Sequence, residues 1–150
     1  MTREETARSN FLQGYNCAQA VLLAFGDKTG LDEKTAAAMA SSFGGGIGRM
    51  REICGAVSGM LLALGAAEGY TDPKDALGKK TQYALVQRLA GEFRAENGSI
   101  LCRELLAGPA STTPTPDART ADYYKKRPCS ELVACAAGIL ERYFAAKEED

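Results

Sequence analysis

Residues 43–68 read FGGGIGRMREICGAVSGMLLALGAAE, a glycine-rich segment followed by a long apolar one. Four glycines within the five residues from Gly44 to Gly48 cannot remain helical, so we expect a loop there. From about Ile53 to Glu68 the chain is mostly apolar, which is typical of a buried helix. Gly55 and Gly59 lie four residues apart in this segment and allow a second helix to approach closely. The stretch therefore predicts the central helix of a bundle.

The other helices are predicted from residues that commonly begin or cap a helix. These signals are Thr2 with Glu5, Asn16 before residues 17–25 with Gly26 as the stop, Asp32, Asp72 before Pro73, Ser99, and Pro128 before the last helix. No alternating strand pattern of convincing length occurs. The sequence therefore predicts an all-α protein, a compact single-domain bundle of about five to seven helices over residues 1–150.

Residues 108–127 hold three of the five prolines and predict a long surface loop. Loops of this length are usually functional lids or mobile segments. Tyr123 and Tyr124 lie in this loop, and they either close over a site or anchor the loop.

The composition excludes several classes of function. The chain is 45% hydrophobic and 25% charged, its net charge is −1, and it has no basic cluster, so nucleic acid and anionic membranes are not expected partners. It has no histidine, which removes histidine-based catalysis and metal binding. The amino terminus has no apolar signal segment, and the run from Ile53 to Ala67 is too short to span a bilayer. We expect a cytoplasmic protein without membrane insertion.

Five cysteines remain as the chemically distinctive residues. Structural disulfides are uncommon in the cytoplasm, so spaced cysteines there favour metal, cluster or redox chemistry. Four of them lie at predicted helix starts, where unpaired N–H groups and the helix dipole lower the pKa of a thiol: Cys17, Cys54, Cys102 and Cys129. Burial of a small hydrophobic residue does not explain this shared position. We therefore predict that the tertiary fold brings these four into one site.

Cys135 differs from the other four because it lies in the middle of the last predicted helix. We interpret it as a small hydrophobic residue that buries well.

The glycine loop before Cys54 has two interpretations. Gly44, Gly45 and Gly46 either turn backbone N–H groups towards an anion, such as thiolates or cluster sulfides, or form a tight turn between two packed helices. A nucleotide-phosphate loop is disfavoured, because Gly-Lys-Ser/Thr is absent and an alanine-rich helix, not a strand, precedes the loop. Arg49 and Arg51 either offset thiolate charge or lie at the surface.

With these residues in view, the chain resembles a family of redox-active proteins named for a C, CGAxxG, C, C cysteine signature. The matching pieces are Asn16-Cys17-Ala18-Gln19, the loop FGGGIGR, Cys54 to Gly59 (CGAVSG), Cys102 to Leu106 and Cys129 to Val133. The resemblance implies redox activity at Cys17, Cys54, Cys102 and Cys129, with Cys135 outside the pattern. A similar domain occurs in split-Soret cytochromes, where four cysteines are taken as an iron–sulfur site. This chain lacks Cys-x-x-Cys-His, so any electron partner must be external.

Three functions remain open at this point. The first is electron transfer through an iron–sulfur cluster, most simply [2Fe–2S], held by the four cysteines, with Gly44, Gly45 and Gly46 beside it. The second is thiol–disulfide redox chemistry without metal, in which Glu52, tyrosine or water moves protons. The third is a structural zinc site in a scaffold or accessory module. The first two require a redox partner protein that the sequence does not identify.

A homodimer is also predicted, because the segment from Ile53 to Ala67 has more apolar surface than a small bundle readily covers.

Overall fold

The structure is a computed structural model that describes residues 1–106 and 108–149. Within these residues the α-helices are α1 Arg3–Leu12, α2 Cys17–Leu23, α3 Gly26–Thr29, α4 Glu33–Ala40, α5 Gly55–Glu68, α6 Ala76–Asn97, α7 Cys102–Leu105, α8 Ala121–Lys126 and α9 Cys129–Glu148. A short 3₁₀ turn, Ser41–Phe43, follows α4. The described chain contains no β-strand, only an isolated antiparallel bridge between Ile53 and Leu101. The predicted all-α class is confirmed.

The described helices outnumber the prediction because the short helices α3 and α8 were not recognised, whereas α7 corresponds to the helix predicted after Ser99. Six of the nine described helices have seven or more residues, within the predicted range. The other three, α3, α7 and α8, span only four to six residues. Helices this short have little periodicity of their own, and tertiary contacts stabilise them.

Helix α5 lies at the centre of the bundle, as its apolar sequence predicts. It packs against α2 and α9, while α1 lies along α9 and α6 packs on α9 from another side. Ala56, Val57, Met60 and Leu64 of α5 are almost completely buried. The apolar surface used to predict a homodimer is therefore largely covered by helices of the same chain.

The helix-start signals were mostly interpreted correctly. Thr2 with Glu5, and Asn16 with Gln19, form complete capping boxes for α1 and α2. Asp32 caps α4 by accepting a hydrogen bond from the Thr35 amide.

Three predicted helix boundaries are wrong. Asp75 rather than Asp72 caps α6, because Asp75 Oδ1 accepts from the Gly78 amide at 2.7 Å. Gly26, predicted as a stop, begins α3. Ser99 does not begin a helix directly: its hydroxyl accepts from the Leu101 amide, and α7 starts at Cys102. Polar caps and proline locate a helix start only to within a few residues, since neighbouring turns use the same side chains.

The segment 108–127, predicted as a long loop, contains helix α8, which Thr120 caps. Arg119 fastens the segment to the bundle: its guanidinium donates to the carbonyls of Phe11 and Tyr15 and lies 4.2 Å from the centre of the Phe11 ring. Tyr124 donates to the Leu12 carbonyl and also anchors the segment. The chain from 109 to 120 has no helix and follows the surface.

Among the residues that the structure describes, no helix is both long enough and apolar enough to cross a membrane.

Helices α2 and α5 approach so closely that only glycine fits between their backbones. A Cβ atom at Gly59 would lie 2.5 Å from the Ala18 carbonyl oxygen. Replacing Gly59 by alanine should therefore lower the free energy of unfolding by about 1–3 kcal/mol, because the two helices must separate. Urea denaturation measures this change.

Gly65, in the same helix, provides the matched control. A Cβ atom there meets no atom within 4 Å. Gly65→Ala should stabilise the protein by about 0.5–1 kcal/mol through helix propensity alone. Equal effects of the two substitutions would contradict the close approach at Gly59.

Candidate functional site

The four cysteines predicted to share a site line one cavity. The cavity has a volume of about 390 Å³, and Cys17, Cys54, Cys102 and Cys129 all contribute to its wall. Cys17, Cys102 and Cys129 are the first residues of α2, α7 and α9, and Cys54 occupies the N-cap position of α5. Four helix starts therefore meet around the cavity, as the sequence pattern indicates. Cys17 is partly exposed and the other three are buried.

Close backbone packing brings the first cysteine to the second. A Cβ atom at Gly55, the residue after Cys54, would lie 3.0 Å from the Cys17 Cβ. Without a side chain at this position, α2 can place Cys17 directly beside the start of α5. The CGAxxG pattern thus has a packing role in addition to any chemical one.

The third cysteine is brought in by a bridge that sequence analysis did not identify. Ile53 and Leu101 pair as an isolated antiparallel bridge. Beside it, the Cys54 amide donates to the Ile100 carbonyl at 2.7 Å, and the Cys102 amide donates to the Glu52 carbonyl at 2.6 Å. This pairing aligns the starts of α5 and α7 although 48 residues separate their cysteines in the sequence.

The glycine loop has an unusual left-handed backbone. Positive φ angles occur at Gly45, Gly46 and Gly48 and also at the non-glycine residues Ile47, Arg49 and Arg51. A left-handed conformation costs a non-glycine residue roughly 1–2 kcal/mol, and such strain clusters at functional sites. The six amides of residues 47–52 donate to carbonyls of the loop and of the turn before it. These six amides are committed to the loop itself and do not serve an anion in the cavity.

Gly44, Gly45 and Gly46, the predicted cofactor-binding glycines, all line the cavity. Gly46 has a φ of +71°, and a Cβ atom there would lie 2.6 Å from the Cys102 Cβ. Glycine is required at this position for both reasons. The predicted tight turn is therefore present, and it lies directly beside Cys102.

Arginine side chains dominate the charge of the cavity wall. Arg51 is only 4% exposed, and its Nη1 donates to the Cys102 sulfur at 3.7 Å.

A second contact on this wall is an aspartate that binds two further arginines. Asp117 Oδ2 accepts from Arg49 Nη1 at 3.2 Å and from Arg127 Nη2 at 2.7 Å. Arg49 and Arg51 lie at the site rather than at a free surface. Arg119 also lines the cavity, and so does Tyr123.

Sequence reasoning missed Asp117, Arg119 and Arg127. They belong to the segment 108–127, whose position on the bundle has no periodic signal. Arg127 had one weak signal, since it lies two residues before Cys129. Of the two tyrosines considered there, Tyr123 lines the cavity and Tyr124 anchors the segment.

Burial changes the pKa of two of these thiols more than the amides at the helix N-termini do. Burial raises the pKa of Cys54 to about 12, although its sulfur accepts hydrogen bonds from the Ala56 and Val57 amides, which lower that pKa. Burial likewise raises the pKa of Cys102, and Arg51 offsets this only in part. The predicted lowering of the pKa does not occur at Cys54 or Cys102: the amides of Ala56 and Val57 act on Cys54 as expected, but desolvation of the charged form is the larger effect.

Cys17 and Cys129 influence each other's acidity. Their interaction raises the pKa of Cys17 and lowers the pKa of Cys129. Arg127, Arg119 and Arg51 lower the pKa of Cys129 further through their charges. Cys129 thus carries the most acidic thiol in the cavity.

The four cysteines line one cavity, but they do not surround a single point at which a metal ion could bind. Within residues 1–106 and 108–149, no group of three or more Cys, Asp or Glu side chains is arranged to hold a metal ion. Thiolate donors suit soft metals.

The fold and the cavity together define an all-α protein in which four cysteines line one cavity. The model of one family, described as putative redox-active protein (C_GCAxxG_C_C), matches residues 15–143. The chain belongs to this family. Comparison with curated proteins and with solved structures found no match.

Cys135 lies outside the cavity and has a different environment. It is partly buried in α9, its thiol donates to Glu96 Oε2 at 2.9 Å, and Asn97 Nδ2 donates to its sulfur at 3.4 Å. Burial and the Glu96 carboxylate raise the pKa of Cys135 to about 11. At neutral pH this thiol is therefore almost entirely protonated.

Replacing Glu96 by glutamine should accelerate alkylation of Cys135. The carboxylate favours the neutral thiol, so removing its charge lowers the pKa and increases the thiolate fraction at pH 8. We expect the alkylation rate of the Cys135 peptide to rise several-fold, since each unit of pKa changes the thiolate fraction about tenfold and lower nucleophilicity offsets part of the gain. Mass spectrometry of iodoacetamide-treated protein measures it.

Glu92→Gln, one turn earlier on α6, is the matched control and should leave that rate unchanged. An unchanged rate in both variants would contradict the effect of Glu96 on Cys135.

Proposed function

We propose that this protein transfers electrons through an iron–sulfur cluster, most simply [2Fe–2S], held by Cys17, Cys54, Cys102 and Cys129. The observation that carries the proposal is that these four cysteines, from four separate parts of the chain, line the same cavity. Four cysteine thiolates are the usual ligands of such clusters. Each iron of a [2Fe–2S] core takes two of them, so the cluster does not require three sulfurs to surround one ion.

The charges around the cavity support the same proposal. A cluster with four thiolates carries net negative charge, and burying it requires compensation. Arg49, Arg51, Arg119 and Arg127 line the cavity, against a single aspartate, Asp117. Arg51 already donates to Cys102, one of the proposed ligands. These positive charges would favour thiolates over thiols once a metal is present.

The cluster, when bound, supplies reversible one-electron chemistry, and the chain's own residues control its environment. Burial of Cys54, Cys102 and Cys129 limits the access of water. The glycine loop allows the backbone to approach Cys102, and the segment 109–120 supplies Pro114, Pro116 and Asp117 to the opposite wall. The partner that donates or accepts the electron must come from outside the chain.

A structural zinc site, considered from the sequence, has less support. Zinc requires about four donors around one point, and the described residues contain no group of three or more that is arranged in this way.

Anaerobically purified protein tests the proposal. We expect a brown protein with visible absorption, and iron and acid-labile sulfide in equal amounts. Serine at any one of the four cavity cysteines should remove most of this signal, because serine is a poor ligand for a soft metal.

Cys135→Ser is the control: it should keep the full iron content and cost about 1 kcal/mol of stability from a polar group in an apolar environment. A colourless protein without iron and sulfide would refute the cluster. So would the loss of iron in Cys135→Ser to the same extent as in Cys54→Ser.

The contact between Cys17 and Cys129 favours a second candidate, thiol–disulfide exchange without metal. In it the Cys129 thiolate attacks a small-molecule disulfide and releases one thiol. Cys17 then attacks the mixed disulfide and releases the second thiol, leaving a Cys17–Cys129 disulfide. The lowered pKa of Cys129 suits the attacking thiol, and the interaction of Cys17 with Cys129 suits Cys17 as the second thiol.

Peptide mapping distinguishes this candidate. Metal-free protein treated with oxidised glutathione should yield a Cys17–Cys129 disulfide, reducible by dithiothreitol, and Cys17→Ser should stop at a glutathione adduct on Cys129. A Cys54–Cys102 disulfide as the main product would show that the Cys17–Cys129 contact does not direct the exchange.

A further inference from the structure

The cavity is larger than a cluster or a disulfide needs. Its volume of about 390 Å³ falls within the range of about 300–1,000 Å³ that is typical of pockets for small molecules. Besides the four cysteines, arginine, aromatic and aliphatic side chains line it. The cavity therefore has room for a ligand beside the redox group.

One buried polar atom on this wall lacks a partner. Arg51 donates through Nε to the Ser111 carbonyl and through Nη1 to the Cys102 sulfur. Among the described residues, its Nη2 has no hydrogen-bond partner, and Asp117 Oδ2 lies 4.0 Å away, beyond hydrogen-bond range. An unpaired donor of a charged, buried side chain is costly, and natural proteins seldom leave one without a function.

The arrangement around Asp117 shows which group these arginines accept. Asp117 places one carboxylate among Arg49, Arg51 and Arg127, so three guanidinium groups share a single negative charge. Arginine forms its strongest hydrogen bonds with carboxylate and phosphate oxygens. The excess positive charge and the unpaired donor both call for a second anionic group.

Part of the cavity wall is apolar. Its apolar side chains are those of Phe11, Leu105, Leu106, Pro114, Pro116 and Leu132. A free inorganic anion would not use these side chains, whereas a molecule with an apolar body and an anionic head would contact both parts of the wall.

We infer that the cavity binds a small organic anion, with its carboxylate or phosphate group at Arg51 and its apolar body against the leucines and prolines. The bound anion lies next to Cys102 and therefore next to the redox group. The inference goes beyond the proposed function, because the binding of the anion depends on neither a cluster nor a disulfide.

Calorimetric titration of the full-length protein with benzoate tests this inference. Benzyl alcohol, which has the same apolar body without the charge, is the neutral comparison. Benzoate should bind measurably, and benzyl alcohol at least tenfold more weakly. Arg51→Gln should weaken the binding of benzoate at least tenfold, whereas Arg142→Gln, which removes the same charge from an exposed part of α9, should not change it.

A second variant, Asp117→Asn, tests the inference even if Arg51→Gln does not fold. Asp117→Asn removes the competing negative charge, so this variant should bind benzoate more tightly than the unchanged protein. Circular dichroism and the thermal transition report whether Arg51→Gln is folded, and if it is not, Asp117→Asn decides the question.

Three results would overturn the inference: no binding of benzoate, equal affinity of the unchanged protein and a folded Arg51→Gln variant, or weaker binding to Asp117→Asn. Failure of benzoate to bind would also be the result if the Arg51 Nη2 instead served a cluster. Iron and sulfide are measured on the same sample, so failure of this inference and failure of the proposed function give separate results.

Discussion

Helices α2 and α5 touch through their backbones, and the remainder of the site depends on that contact. At Gly59 any side chain would collide with the Ala18 carbonyl, and at Gly55 it would crowd Cys17. Because the two helices lie this close, the start of α2 stands beside the start of α5. The glycine loop that leads into α5 then has a fixed position, and α9 completes the cavity from the other side of α5.

Two opposing electrostatic effects meet in the cavity. Burial disfavours the charged form of a thiol, and in Cys54 and Cys102 it outweighs the amides and the arginine that act in the other direction. Cys129 is different, because its interaction with Cys17 and the charges of three arginines lower its pKa. The site therefore contains thiols of unequal acidity, which suits redox chemistry better than a uniform set would.

The segment 108–127 supplies the part of the site that carries most of the charge pattern. Arg119 fastens it to α1 through the Phe11 carbonyl and ring. Asp117 ties it to the glycine loop through Arg49, and Arg127 on the same segment also bonds to Asp117. A stretch that is rich in proline and has little helix of its own thus gains its position from ion pairs and one stacked guanidinium. This explains why it closes the cavity although it has almost no regular structure.

The sequence by itself determined the helical class, the central helix, most of the helix starts and the shared position of four cysteines at those starts. These features depend on local physics: periodicity, capping side chains, and the conformational freedom of glycine act within a few residues. Three outcomes were decided only by the tertiary structure. The Ile53–Leu101 bridge places Cys102 beside Cys54, and burial raises the pKa of both thiols despite the helix N-termini. Asp117 lies among three arginines. These outcomes depend on contacts between residues far apart in the chain, and on desolvation, which no local pattern records.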